Sequence, residues 1–493
     1  MGKWSGTISG RGKQMLSTKL IKAATAARTT LPDGLEFADV TTDSRDVRAG
    51  TLFVALRGEK FDGHDFAVSA LEKGAAAVLT DHAVPGTENR SFIVPDTLAA
   101  YQQIASAYRM SMKGVRVIAI TGSNGKTSTK DMVAALLASK YKVIKTQANF
   151  NNEIGLPKTL FLIRPDTEFA VVEMGMRGLG QIRAMKKIAR PDAAIITNVG
   201  ETHLELLGSI ENIAKAKSEI LEDFTAQNLA VLNGDDPRVR AMETGAKVTT
   251  YGIHTDCDVM ARDITSDGLL TRFTYTSKIT GAERSVAMPL LGEHNVMNAL
   301  AAIAMAELYD VPDDEIAYSI GTIKLTGMRQ EILEFGDVTV INDAYNAAPA
   351  SMEAGLKTLT SVVKAHGRGR AVAVLADMLE LGSASEEGHR SVGQWAAQYG
   401  VAELICYGPL CKAMAEAARE GGVSVHYVAS KEEAARCLRE IVRPGDVVLC
   451  KGSHSMEVDK VIGHVYVRTG HPFSFHGSRQ GHRPCVCKGR RFP

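Results

Sequence analysis

Gly122-Ser123-Asn124-Gly125-Lys126-Thr127-Ser128 brings together the residue types that cradle a phosphate. Glycine has no Cβ, so the backbone at Gly122 and Gly125 can approach an anion closely. A helix starting there turns its free N–H groups and positive dipole end toward the same anion. Lys126 then reaches the outer phosphates, and the Thr127 hydroxyl is placed to hold Mg²⁺. The loop is shortened, because Ile120 stands where the full P-loop pattern has its first glycine.

Such a loop needs a strand before it and a helix after it. Val115–Ile120 is a β-branched run and Asp131–Ser139 has a helical pattern, which supplies both. Further buried runs at 169–172, 193–197 and 229–232, with helical patterns between several of them, predict a parallel sheet covered on both faces. Ligands bind such sheets at the carboxyl ends of the strands. That edge gathers 121–127, Glu173, 198–203 and 233–236. Glu173 ends an apolar run facing the loop, where a carboxylate suits nucleotide-bound Mg²⁺. Asn198 and His203 follow another strand and are candidate polar contacts or metal ligands. Lys215 and Lys217 lie on a helical stretch returning to this edge. By pattern alone both are solvated, yet a lysine deprotonated by burial can add CO₂ and become a carbamate. His294, Asn295 and Asn298 open an Ala-rich helix. The two asparagines share a face and suit a base or ribose, with helix capping by Asn295 as the alternative.

The 493 residues exceed one hydrophobic core, so several domains are expected. The reading is α/β throughout. Residues 1–35 are read as a leader or frayed N-terminus, and 36–112 as a small α/β substrate-binding unit. Residues 113–325 form the central P-loop-type domain, 326–460 a Rossmann-like α/β domain, and 461–493 a basic tail. In the first unit the Asp43-Ser44-Arg45 turn suits an anionic ligand, or is simply a solvated turn. The tail holds His464, His471, His476, His482, Cys485 and Cys487, which raises zinc as a reading against a plain basic terminus. A net charge of +1 argues against a nucleic-acid binder. Seven scattered cysteines suit a reducing compartment, and no apolar run reaches membrane-spanning length. A cytoplasmic monomer without membrane insertion is expected.

Together these segments resemble the Mur ligase family over roughly residues 38–460. The family's ATP loop is matched by 122–127, its magnesium glutamate by Glu173, and its Asn-x-x-x-x-His segment by Asn198 and His203. The resemblance puts the carbamylated lysine on Lys217, with Lys215 second, and nucleotide contacts on His294, Asn295, Asn298 and Arg329. Asp343-Ala344-Tyr345-Asn346, Asn149–Pro157, Asp377–Gly382 and Lys451-Gly452-Ser453 are nearest to the members that add D-alanyl-D-alanine to UDP-N-acetylmuramoyl tripeptide. The resemblance implies ATP and Mg²⁺ as cofactors and that peptide and dipeptide as partners. It places the UDP end on Ser44 and Arg45, the peptide path on Asn151 and Asn152, and further ATP contacts on Asp343 and Asn346. It implies a hinge near residue 325 and an acyl-phosphate mechanism with Lys126, His203 and Lys217 as catalytic residues. It also implies Thr127, Glu173, His203 and Lys217 as metal-site residues. Ala348 and His454 depart from the family pattern, which has Asn and Arg there. Competing readings are another ligase of this superfamily, adding the third peptide residue or glutamate to folate, and a nucleotide-binding protein without catalysis.

Overall fold

The computed structural model describes residues 16–200, 204–267 and 269–463. They fall into two compact units: the chain to Arg329 together with Leu379–Gly388, and Gln330–Met378 together with the chain from His389.

The first unit begins inside the stretch expected to be a leader. Leu16–Ser17 pairs antiparallel with Glu36–Phe37, and the Ser17 side chain caps the helix Thr18–Ala24. Ile21 of that helix is fully buried, so an apolar contact, not a local signal, orders this segment. A four-stranded parallel sheet follows, in the order Asp39–Thr41, Thr51–Val54, Ala77–Thr80, Ser91–Ile93. Its two central strands are buried at every position, as parallel strands covered on both faces must be.

The second sheet of this unit has nine strands. From one edge they run Glu283–Met288, Leu270–Ser277, Val259–Asp267, Lys247–Gly252, Leu229–Asn233, Ala193–Ile196, Arg116–Thr121, Phe169–Glu173 and Val143–Lys145. The pairing is parallel from Val143–Lys145 through Val259–Asp267. The buried runs predict the parallel arrangement and four of these strands, but not Val143–Lys145, Lys247–Gly252 or Val259–Asp267. The last two strands add an antiparallel ribbon that those runs did not reveal. Along Arg116–Thr121 alternate side chains enter different cores: Val117 and Ala119 one, Ile118 and Ile120 the other. In the second core the loop helix, Lys126–Ala138, packs with the helix Glu293–Glu307. Fully buried alanines at 299, 301, 302, 304 and 306 allow that close approach.

The second unit is a six-stranded sheet ordered Glu331–Phe335, Val338–Asn342, Val447–Lys451, Ala371–Ala376, Glu403–Tyr407, Ser424–Val428. Only the first pair is antiparallel. The four inner strands match the expected runs. The two edge strands escape a hydrophobic reading because they are only partly buried. No described helix is long and apolar enough to cross a membrane. The tail histidines and cysteines from His464 on lie outside the described residues.

Candidate active site

The strand Arg116–Thr121 delivers the chain to Gly122, and the helix starts at Lys126 behind Gly125 as its N-terminal cap. Gly125 has φ +79°, and a Cβ there would run into the Asn298 amide. A Cβ on Gly122 would collide with the Thr197 hydroxyl. Gly122 has φ +150°, so both glycines are required, by backbone hand and by packing.

The loop is bound to the end of the neighbouring strand. Asn124 N–H donates to Asn198 Oδ1 at 2.9 Å, and Thr197 Oγ1 donates to Asn124 O at 2.6 Å. Ser123 N–H donates to Asn198 O at 2.9 Å, and Gly200 N–H donates to Ser123 Oγ at 2.8 Å. Lys126 Nζ folds back onto its own loop, donating to Gly122 O at 2.8 Å and Ser123 O at 3.1 Å. Burial lowers the Lys126 pKa; Glu173 opposes that shift and Arg329 adds to it. A partly desolvated cation held, among the described residues, by carbonyls is ready to exchange them for an anion.

Thr127 and Glu173 are both buried, and the Thr127 hydroxyl donates to Glu173 Oε2 at 2.7 Å. Asn151 Nδ2 donates to the other oxygen, Oε1, at 2.8 Å, brought there by the backbone bond from Gly175 N–H to Asn151 O. Arg329 Nη2 donates to the Thr127 hydroxyl at 2.9 Å. A hydroxyl and a carboxylate, hard oxygen donors beside a phosphate loop, fit Mg²⁺. Ser128 lies in the first turn of the same helix, buried. Behind the loop, Thr129 Oγ1 donates to Asn298 Oδ1 at 3.1 Å, and Asn298 Nδ2 to Asn295 Oδ1 at 3.3 Å. Asn295 Nδ2 donates to Leu291 O at 3.0 Å, while Gly292 occupies the cap position that the alternative gave to Asn295. His294 is exposed on the first turn of this helix.

Lys217 is not the solvated residue its local pattern suggests. The helix Ile210–Ser218 buries Ile213, Ala216 and Lys217 on one face and leaves Lys215 exposed. Lys217 is 2% exposed, with no hydrogen-bond or ion-pair partner among the described residues. Burial, and secondarily the charge of Lys126, push its pKa well below that of an ordinary lysine. Burial at this position therefore favours the uncharged amine over the ammonium. His203 lies outside the described residues.

Elsewhere in this unit, Arg45 forms a two-pronged pair with Asp43, with contacts of 2.6 to 3.1 Å, and this holds the Asp43 pKa down at about 2. Asn152 turns its side chain inward to its own segment: Oδ1 accepts from Gly155 N–H at 2.8 Å and Ile154 N–H at 3.2 Å. It thereby shapes the start of the helix Gly155–Leu160. In the second unit Asp343 and Asn346 meet at the end of Val338–Asn342. Lys451 Nζ donates to Asp343 Oδ2 at 2.6 Å and Asn346 O at 3.0 Å. Ala348 caps the helix Pro349–His366 without a side-chain acceptor; Ser351 Oγ accepts from its N–H at 3.0 Å. His454 rests against Tyr345, ring centroids 5.5 Å apart.

Thr197, the Asn151 contact to Glu173 and the Arg329 contact to Thr127 escaped the sequence reading. Thr197 follows the strand Ala193–Ile196, so the strand-end rule had a signal for it. The other two are contacts between segments remote in sequence.

Comparison with known proteins identifies the family. Residues 120–306 match the profile described as "Mur ligase middle domain", 328–454 "Mur ligase, glutamate ligase domain", and 36–109 "Mur ligase family, catalytic domain". The UDP-N-acetylmuramoyl-tripeptide–D-alanyl-D-alanine ligase of Bacillus subtilis is 41% identical over 86% of this chain and 92% of its own length. Its Escherichia coli counterpart is 34% identical over 86% and 92%. The crystal structure of MurF from Acinetobacter baumannii superposes with a TM-score of 0.84 at 28% identity, covering 93% of this chain and 100% of that one. MurF from Thermotoga maritima in complex with ADP gives 0.77 at 27% identity, covering 88% and 98%. With family profiles across most of its length and relatives well above 30% identity, the chain belongs to the Mur ligase family.

Proposed function

We propose that this chain is an ATP-dependent amide ligase that joins D-alanyl-D-alanine to UDP-N-acetylmuramoyl tripeptide in peptidoglycan precursor synthesis. The observation that carries it is the cluster of Lys126, Thr127 and Glu173 at the mouth of the loop. The relatives that share nearly its whole length carry that ligase name.

In this reading the helix N-terminus and Lys126 bind the β- and γ-phosphates of ATP. A carboxylate oxygen of the tripeptide attacks the γ-phosphorus, the bond to the β-phosphate oxygen breaks, and ADP leaves. The amine of the dipeptide then attacks the acyl carbon. It sheds a proton, the C–O bond to phosphate breaks, and an amide remains. Both steps concentrate negative charge, so the chain's contribution is placement and fixed positive potential. Thr127 and Glu173 would hold Mg²⁺, which when bound offsets phosphate charge. Lys217, as a neutral amine, would form an N–C bond to CO₂ and lose a proton, turning an uncharged buried amine into an anionic oxygen ligand. His203 would serve the same site. Asn295 and Asn298, with His294, Arg329, Asp343 and Asn346, would contact the nucleotide. Ser44 and Arg45 would take the UDP end, and Asn151 and Asn152 the peptide path. A UDP-linked precursor suits a cytoplasmic enzyme.

Acceptor profiling tests the proposal. With ATP, Mg²⁺ and the UDP-linked tripeptide, D-alanyl-D-alanine should give a pentapeptide product by mass. A product formed instead with a single amino acid on a UDP-linked dipeptide, or with glutamate on a folate, would contradict it.

A further inference from the structure

Asp131 lies one turn beyond the phosphate loop, on the loop helix, and is 1% exposed. Its Oδ1 accepts from Lys145 Nζ at 2.7 Å and lies 3.2 Å from Lys130 Nζ. Its Oδ2 accepts from the backbone N–H of Thr326 at 2.9 Å, from 195 residues away in sequence. Three residues after Thr326 comes Arg329, the last residue of the first unit before the chain crosses to the second. Between the two contacts Met328 has φ +55°, a left-handed backbone that a non-glycine residue keeps only where its surroundings impose it.

These contacts close a ring. Lys130 Nζ donates to Thr146 O at 2.9 Å, and Thr146 Oγ1 accepts from Glu173 N–H at 3.0 Å. Glu173 accepts from Thr127, and Thr127 accepts from Arg329. The proposed metal carboxylate is thereby tied to the exit segment at both ends. Stability alone does not explain it: buried charge clusters are commonly matched or bettered by packed apolar residues. What an apolar residue at 131 cannot do is receive the Thr326 N–H.

We infer that Asp131 is a positioning residue for ligation: it pins Thr326 so that Arg329 is delivered to the Thr127–Glu173 site. The inference rests on the proposed nucleotide role of that site. Asp131→Leu removes both the acceptor for the Thr326 N–H and the charge shared with the lysines. Thr326→Pro removes the N–H while fixing φ at that position, and it leaves the Asp131–lysine pairs intact, so it carries the test if Asp131→Leu does not fold. Each folded variant should lose about 10- to 100-fold in kcat. In the nucleotide-free protein, trypsin should cut faster after Lys324 or Arg329, with cleavage elsewhere unchanged. A merely structural role would lower the melting temperature and move neither readout. Wild-type kcat in a folded variant overturns the inference. If the wild-type chain performs no ligation, the function reading fails by itself. Unchanged cleavage at Lys324 and Arg329 in both variants then overturns the anchor separately.

Discussion

The Thr127 hydroxyl donates to Glu173 Oε2 at 2.7 Å, joining the first turn of the loop helix to the end of the adjacent strand. In the proposed function this contact separates two tasks within the site: Lys126 would address phosphate, while Thr127 and Glu173 would address a cation.

Lys126→Ala should reduce kcat/KM for ATP by about two to three orders of magnitude, the usual cost of removing one fixed donor to developing charge. Among the described residues Lys126 hydrogen-bonds only its own loop carbonyls, so the melting temperature should stay near wild type. Steady-state kinetics with a thermal melt check both halves. Wild-type turnover would remove the basis for the phosphate role.

Glu173→Gln keeps an oxygen for the Thr127 hydroxyl but loses the negative charge. The Mg²⁺ concentration for half-maximal activity should rise about 10- to 100-fold, with a circular dichroism spectrum like wild type. An unchanged Mg²⁺ titration would place the metal elsewhere.

Lys217→Met should raise the melting temperature at neutral pH while ligation is lost. The sign follows from linkage. A lysine whose folded pKa lies below its unfolded value opposes folding at lower pH, and the penalty fades as pH rises toward the ordinary lysine range. In bicarbonate buffer the intact mass of the wild type should gain one CO₂, and that of Lys217→Met should not. A destabilised Lys217→Met protein would mean that the amine has a stabilising partner.

Glu307 predicts a pH dependence remote from the loop. It is 3% exposed, and the Ser277 and Thr280 hydroxyls donate to it. Burial raises its pKa from 4.5 to about 7, with Asp313 adding to the shift. The folded state therefore holds a proton that the unfolded state releases, and stability falls as pH rises from about 4.5 to 7. Glu307→Gln should be more stable than wild type at pH 8, by about 2–3 kcal/mol. The gap should close toward pH 4.5 in urea melts. A constant gap across that range would assign the effect to packing.

The parts legible in the sequence are those that local pattern encodes. Buried parallel strands read as continuous apolar runs, and the rule that ligands bind at strand ends led from those runs to Gly122–Thr127, Glu173 and Asn198. The ribbon Val259–Met288 was illegible because its strands are exposed on one face and carry Arg262, Arg272 and Glu283 among the apolar residues. Lys217 looked solvated because burial is decided by what packs over a helix, not by its own spacing. The turn that the Asn152 side chain builds was not legible, because it depends on the local fold of 152–155. Arg329 reaches Thr127 across 202 residues, a contact that only the folded chain creates.

The most direct measurement is phosphate release from ATP with Mg²⁺, UDP-N-acetylmuramoyl tripeptide and D-alanyl-D-alanine, with each omitted in turn. The account predicts release only with all of them present, one phosphate for each pentapeptide product formed. ATP binding with no release, or release that ignores the dipeptide, would contradict it.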